Sequence, residues 1–294
     1  MKKLLYITLI ILLYGCDSKP KNPLYLDSNG ITIKAHKWAK VGDEGVVNDV
    51  LYEIVNRQTL YSLIRSGNTY ERVCTSFITD MEGMFDGLSN TSQDISTWDV
   101  SNVENMTEMF SGATSFNQDI SAWDVGKVID MNYMFYGATS FNQDIGSWNV
   151  SNVENMSYMF SGATSFNQPI GNWDVSKVES MGGMFSGASG MFSGATSFNQ
   201  DISNWNVSNV ENMGWMFGRA TSFNQPIGNW DVSNVESMSD MFSRATSFNQ
   251  DLSSWDVSSV VSYWPEFCRS FCSRATNWTL PKPNFPSCGD IGCD

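Results

Sequence analysis

The chain has 294 residues, 16% of them charged and 13% aromatic, and a formal net charge of −14. Between Cys74 and Trp264, 21 acidic residues face four basic ones, Lys127, Lys177, Arg219 and Arg244. Such a surface repels nucleic-acid phosphate and anionic headgroups, which excludes nucleic acid as a partner. An acidic coat that keeps a long protein soluble explains the charge, with a face for a cation or cationic partner as the other reading.

Met1 to Cys16 carries Lys2 and Lys3, then the apolar run Leu4 to Tyr14, then Gly15-Cys16. The run falls short of the ~20 residues that span a bilayer, and its order of basic, apolar and small residues is that of a secretion signal. Its Leu-Tyr-Gly-Cys ending is similar to a bacterial lipobox. Cleavage there would leave Cys16 as an acylated N-terminus, and several acyl chains anchor durably. Residues 1–15 are therefore expected to be a signal peptide. Residues 16–30, polar and proline-containing, are expected to be a flexible tether.

Residues 31–73 are expected to form an α+β cap. Ile31 to Lys34 alternates apolar and polar, and Val46 to Val55 follows the turn Gly42 to Gly45. Asn56 to Arg65 places Leu60, Leu63 and Ile64 on one helical face, stopped by Ser66-Gly67. His36 is the chain's one histidine and has no second catalytic partner, so it is expected to be a solvated cap residue.

From residue 74 to 264 the chain repeats. The tryptophans closing each unit, Trp98, Trp123, Trp148, Trp173, Trp205, Trp230 and Trp255, are spaced 25, 25, 25, 32, 25 and 25. A fixed period in this range is the mark of a solenoid, whose units bury their apolar faces only against their neighbours. Ser101-Asn-Val-Glu104 has the form of a helix capping box. Val103, Met106, Met109 or Phe110, and Ala113 follow at helical spacing, and Gly112 is placed to end the helix. Phe116 to Trp123 reads as a strand and bend. The predicted fold is thus an α/β repeat solenoid, leucine-rich-repeat-like, with one short strand and one short helix per 25-residue turn and a cap at each end. The methionines sit in pairs with Phe on the apolar face, which assigns them to packing and not to metal capture.

Two further columns are visible. Asn117, Asn142, Asn167, Asn199, Asn224 and Asn249 share one register, where stacked amides are expected to bond along the array. Two residues on come Asp119, Asp144, Pro169, Asp201, Pro226 and Asp251. Calcium suits aligned carboxylates, but proline interrupts this row, so exposed acidic positions are the simpler account. The 32-residue unit holds a near-perfect duplication of seven residues, Met184 to Gly190 and Met191 to Ser197. It is expected to bulge one helix without changing strand register.

Residues 265–294 are expected to be a Cys-rich cap. Cys268, Cys272, Cys288 and Cys293 are disulfide candidates in an exported chain. Four cysteines allow three pairings, and spacing does not choose among them. A zinc site of all four is the rival reading, against which their spacing counts. Cys74 is expected to be a buried thiol.

The unit Met-Phe-x-Gly-Ala-Thr-Ser-Phe-Asn-Gln-Asp-Ile-x-x-Trp-Asp-Val-Ser-x-Val-x-x-Met resembles the BspA-like leucine-rich-repeat surface proteins over roughly residues 74–278. The resemblance implies a leucine-rich-repeat-like solenoid, a cell-surface or outer-membrane location and a non-catalytic binding or adhesion role. Phe and Met stand here where leucine-rich repeats use Leu, and attachment would rest on Cys16 alone. The expected partners are the membrane, through the N-terminal lipid, and an unknown protein or glycan; a monomer with no cofactor and no metal is expected. Tyr133, Tyr158 and Trp215, solvent-facing aromatics, are the candidate contact residues, with Asp119 and Asp144 beside them. A structural envelope or periplasmic spacer is the second reading. A polysaccharide-active β-helix enzyme is the remote third, because no acid–base pair breaks the repeat.

Overall fold

A computed structural model describes residues 21–187, 194–261, 270–285 and 288. The leader, Cys16, Cys268, Cys293 and the inner part of the duplication lie outside the described residues.

The cap begins earlier than expected. β1 (Leu24–Leu26) pairs antiparallel with β2 (Ile33–Ala35), so the second half of the supposed tether is folded. Leu24 is buried, and the Asn29 side chain accepts from the amides of Ile31 and Thr32 to hold the connecting turn. Polarity over Asp27 to Gly30 thus marks a turn between two strands, not a linker. β3 (Glu44–Val47) and β4 (Val50–Ile54) form a second hairpin, reversed at Asn48 and Asp49 with φ of 51° and 63°. The asparagine–aspartate pair supplies the left-handed residues that a tight hairpin demands. α1 (Arg57–Arg65) follows as expected, with Asn56 capping the Thr59 amide and Leu60 and Ile64 buried. Arg57 and Arg65 donate to the carbonyls of Glu82, Gly83 and Asp86, fastening the helix to the first repeat. β5 (Val73–Cys74) runs parallel to β4 and leads into the array.

Each repeat then lies against the next in register. Isolated parallel bridges step through Asp80, Asn105, Asp130, Asn155, Ser180, Asn212 and Ser237. This corrects two expectations. The bridge falls after the Ser-Asn-Val-Glu sequence, not at Phe116 to Trp123. The stretch following it is a run of turns, and no helix forms among the described residues from 75 to 261.

The hydrogen bonds explain why. The amides of Met106, Glu108, Phe110 and Gly112 donate to carbonyls of the next repeat, at Asp130, Asn132, Met134 and Tyr136. The amides between them turn back three residues, Met109 to Met106, Ser111 to Glu108 and Ala113 to Phe110. A helix would spend all these amides internally and leave none to join the repeats. Alternation requires left-handed residues, and Glu108 (φ 55°) and Gly112 (φ 67°) provide them. The i, i+3, i+4 apolar pattern is real nonetheless, with Met106, Met109 and Phe110 all fully buried.

The core is a set of aromatic columns. Phe110 stacks on Phe135 at 5.6 Å and Phe116 on Phe141 at 5.7 Å. Trp98 and Trp123 lie parallel at 6.5 Å. The indoles that close the repeats find the partner that a buried N–H requires: Trp123, Trp148 and Trp173 donate to the carbonyls of Ile95, Ile120 and Ile145 in the preceding repeat. That bond ties tryptophan to this register.

At the duplication the register continues. Ser180 bridges Asn212, and Ala195 donates to Phe185 as Ala113 does to Phe110. The seven extra residues therefore lie between Phe185 and Ala195.

The array also ends later than expected. Phe271 takes the second methionine's register, because Phe242 donates to its carbonyl. Trp278 stands edge-on to Phe248, at 89°, where earlier rings lie flat. A perpendicular ring offers no face to a further repeat and so closes the phenylalanine column.

Candidate functional site

Three corners of the repeat are made by Asx turns, in which a side-chain oxygen accepts the amide two residues on. Asp99, Asp124, Asn149, Asp174, Asn206, Asp231 and Asp256 build the first. Asn105, Asp130, Asn155 and Asn212 build the second. Asp119, Asp144, Asp201 and Asp251 build the third.

The capping box therefore has a different role. Ser101 donates to Asp99 as the last residue of an Asx turn, and the Glu104 amide donates to Thr79 of the preceding repeat. Much of the acidic surplus is turn chemistry. Asp119 and Asp144, candidate contact residues, are exposed and engaged with Ser121 and Gly146.

Hydrogen bonds from the serine two residues on hold the carboxyls of Asp119, Asp174, Asp201 and Asp231 below the usual range. A carboxyl lowered by folding contributes stability above its unfolded value, lost as pH falls through the folded one. The unfolded value is about 4, so urea midpoints are expected to drop below about pH 4. A variant carrying Asp119→Asn, Asp174→Asn, Asp201→Asn and Asp231→Asn should flatten that drop, because Asn149 and Asn206 make the same turn uncharged. Identical pH profiles for both proteins would refute this role.

The asparagine column also bonds differently from expectation. Asn117 Oδ1 accepts the backbone amide of Asn142 at 2.9 Å, and the pattern continues to Asn249. Gln143 Nε2 donates to the Asn117 carbonyl alongside. The asparagines link side chain to main chain, since no strand here pairs the backbones, and from Gln168 onward the neighbouring glutamine amide also donates to the asparagine Oδ1.

Tyr133, Tyr158 and Trp215 are brought into one column, together with Glu108, Gly183 and Asp240. All six are left-handed, with φ between 55° and 64°. Tyr133 and Tyr158 stack at 4.7 Å and 8°, and Tyr136 meets Tyr133 edge-on. A Cβ at Gly183 would collide with the Tyr158 ring, so glycine opens room for it. All three tyrosines and Trp215 are half-buried. Burial, with Tyr158 next to it, pushes the Tyr133 phenol up. The result is an aromatic strip beside a row of backbone-bonded polar residues, able to hold a flat or ring-shaped ligand.

Of the other predicted positions, Cys74 is a buried free thiol whose ionisation burial opposes. Its Sγ lies 3.3 Å from Ser76 Oγ. Cys272 is fully buried and Cys288 half-buried. His36 is exposed, tilted against the Tyr25 ring at 4.7 Å and stacked on Trp38 at 5.7 Å. Its neighbours at alternate cap positions gave no periodic signal. Among the described residues no group of three metal-ligating side chains converges, and no helix is long and apolar enough to cross a membrane.

A family model described as a Mycoplasma protein of unknown function, DUF285, matches residues 79–190 and 188–278, more than half of the chain. No curated protein and no solved structure matches it.

Proposed function

The chain belongs to this DUF285 family, and from that premise we propose a lipid-anchored, non-catalytic surface protein that binds a macromolecule along its extended face. In this reading the array is a repeat solenoid of the BspA-like, leucine-rich-repeat type, though built from turns and not from helices. Cys16 carries the lipid, and the envelope side is the cell surface. The terminal cysteines, Cys272 and Cys288 among them, staple the far end as disulfides in this reading. The protein acts as a monomer and needs no cofactor.

The observation that supports binding is the Tyr133–Tyr158 stack on the left-handed column. A non-glycine residue at such a φ costs about 1–3 kcal/mol, and nothing in the packing of the repeat demands tyrosine there, because Gly183 occupies the same column.

Protease shaving of intact cells tests the location. Release of peptides from the array is expected. Full protection beside a digested surface protein would sink the surface reading and favour the envelope spacer.

A further inference from the structure

Four residues beyond the aromatic column lies a second left-handed column. Gly87, Gly112, Gly137 and Gly162 occupy it in the earlier repeats, with φ of 66° to 76°. Towards the C-terminal end the residue changes. Arg219, Arg244 and Arg274 stand there instead, with φ of 63°, 59° and 60°. The backbone still follows the repeat, since Arg219 donates to Ser243 and Arg244 to Ser273, each at 2.7 Å. Three consecutive repeats thus accept the conformational cost of a side chain where glycine serves elsewhere.

The arginines line one cavity of about 530 Å³. Thr196, Thr221, Thr246 and Thr276 line it too, one from each successive repeat. Among the described residues, none of the three guanidinium groups pairs with a carboxylate. Arg219 Nε is sealed from solvent and meets no acceptor among the described residues. On a chain of net charge −14, three in-register cations without a carboxylate partner among the described residues are an exception that the acidic coat does not explain.

We propose that this groove binds a short anionic glycan, one bearing sulfate or carboxylate groups at intervals along the chain. Guanidinium groups recognise such groups bidentately. Successive repeats place them about 4.8 Å apart, so a linear ligand lying along the array can meet more than one. The threonine hydroxyls are suited to the sugar hydroxyls between. An extended peptide fits less well, because it would use main-chain donors and the Arg219 and Arg244 amides are already engaged. Nucleic acid, whose charged backbone continues beyond the groove, is repelled by the rest of the surface.

This rests on the binding half of the reading above but not on its surface half. The test is titration calorimetry of the full chain in detergent with a sulfated hexasaccharide, its desulfated form and a hexaglutamate peptide. Binding of the sulfated sugar alone is expected, weakening as salt rises. A variant carrying Arg219→Gly, Arg244→Gly and Arg274→Gly should keep or raise the melting temperature, because glycine is the residue of the earlier repeats. It should lose about tenfold in affinity for each guanidinium that contacts the ligand. Equal binding by the variant, preference for hexaglutamate, or no binding by the parent would each overturn the proposal. None of these outcomes would alter a shaving result, so the two readings fail separately.

Discussion

Trp148→Ala is expected to lower stability by about 3–5 kcal/mol, the range for deleting a fully buried large aromatic side chain. Trp148 is 4% exposed. Its Nε1 donates to the Ile120 carbonyl at 3.1 Å, and its ring lies 6.4 Å from that of Phe135. Removal therefore opens a cavity between two repeats and strands a carbonyl in the same step. In an array where each unit is held by its neighbours, a fault at the middle uncouples the two sides. A second, lower transition should then appear in urea denaturation. Trp148→Phe keeps a six-membered aromatic ring but loses the N–H with the rest of the indole, at a cost of about 1–3 kcal/mol, which sets an upper limit on the share of the N–H. A loss below about 1 kcal/mol for the alanine variant would show that the repeats do not depend on this column.

Asp99→Ala should destabilise by about 3–4 kcal/mol, although its counterparts in later repeats are exposed turn residues. Asp99 is 3% exposed. Its carboxylate accepts from Ser76 Oγ at 2.5 Å, from Ser101 Oγ at 2.6 Å and from the Ser101 amide at 3.1 Å. Ser76 Oγ in turn accepts the Ala35 amide, so this one side chain links the array to β2. Hydrogen bonds to a charged acceptor are worth about 1.5–3 kcal/mol each, and alanine would leave buried donors with no partner. Asp124→Ala, at the matching exposed position, should cost less than about 1 kcal/mol. Differential scanning calorimetry of the two variants decides the matter, and equal losses would show that the cap junction has no special network.

Legibility in the sequence varied with the range of the interaction. α1 was readable because its cap, its apolar face and its stop all lie within a dozen residues. The hairpin of β1 is not legible in the sequence, since its turn residues are also linker residues, and only the burial of Leu24 against the cap separates the two. The candidate aromatics Tyr133, Tyr158 and Trp215 were found as departures from the repeat, but Arg274 was not grouped with Arg219 and Arg244. Its repeat is 30 residues long where theirs is 25, and only the Ser273 bond to Arg244 reveals the shared register.

By itself the sequence determined the period, the buried residues and the in-register stacking. Those follow from which side chains recur and how far apart, and water excludes the same apolar set whatever the local backbone. The tertiary structure alone decided that the Met–Phe stretch is turns and not helix. Helix and alternating turn bury the same i, i+3, i+4 residues, so the pattern does not distinguish them. What distinguishes them is where the amides go, and here half of them go to the next repeat.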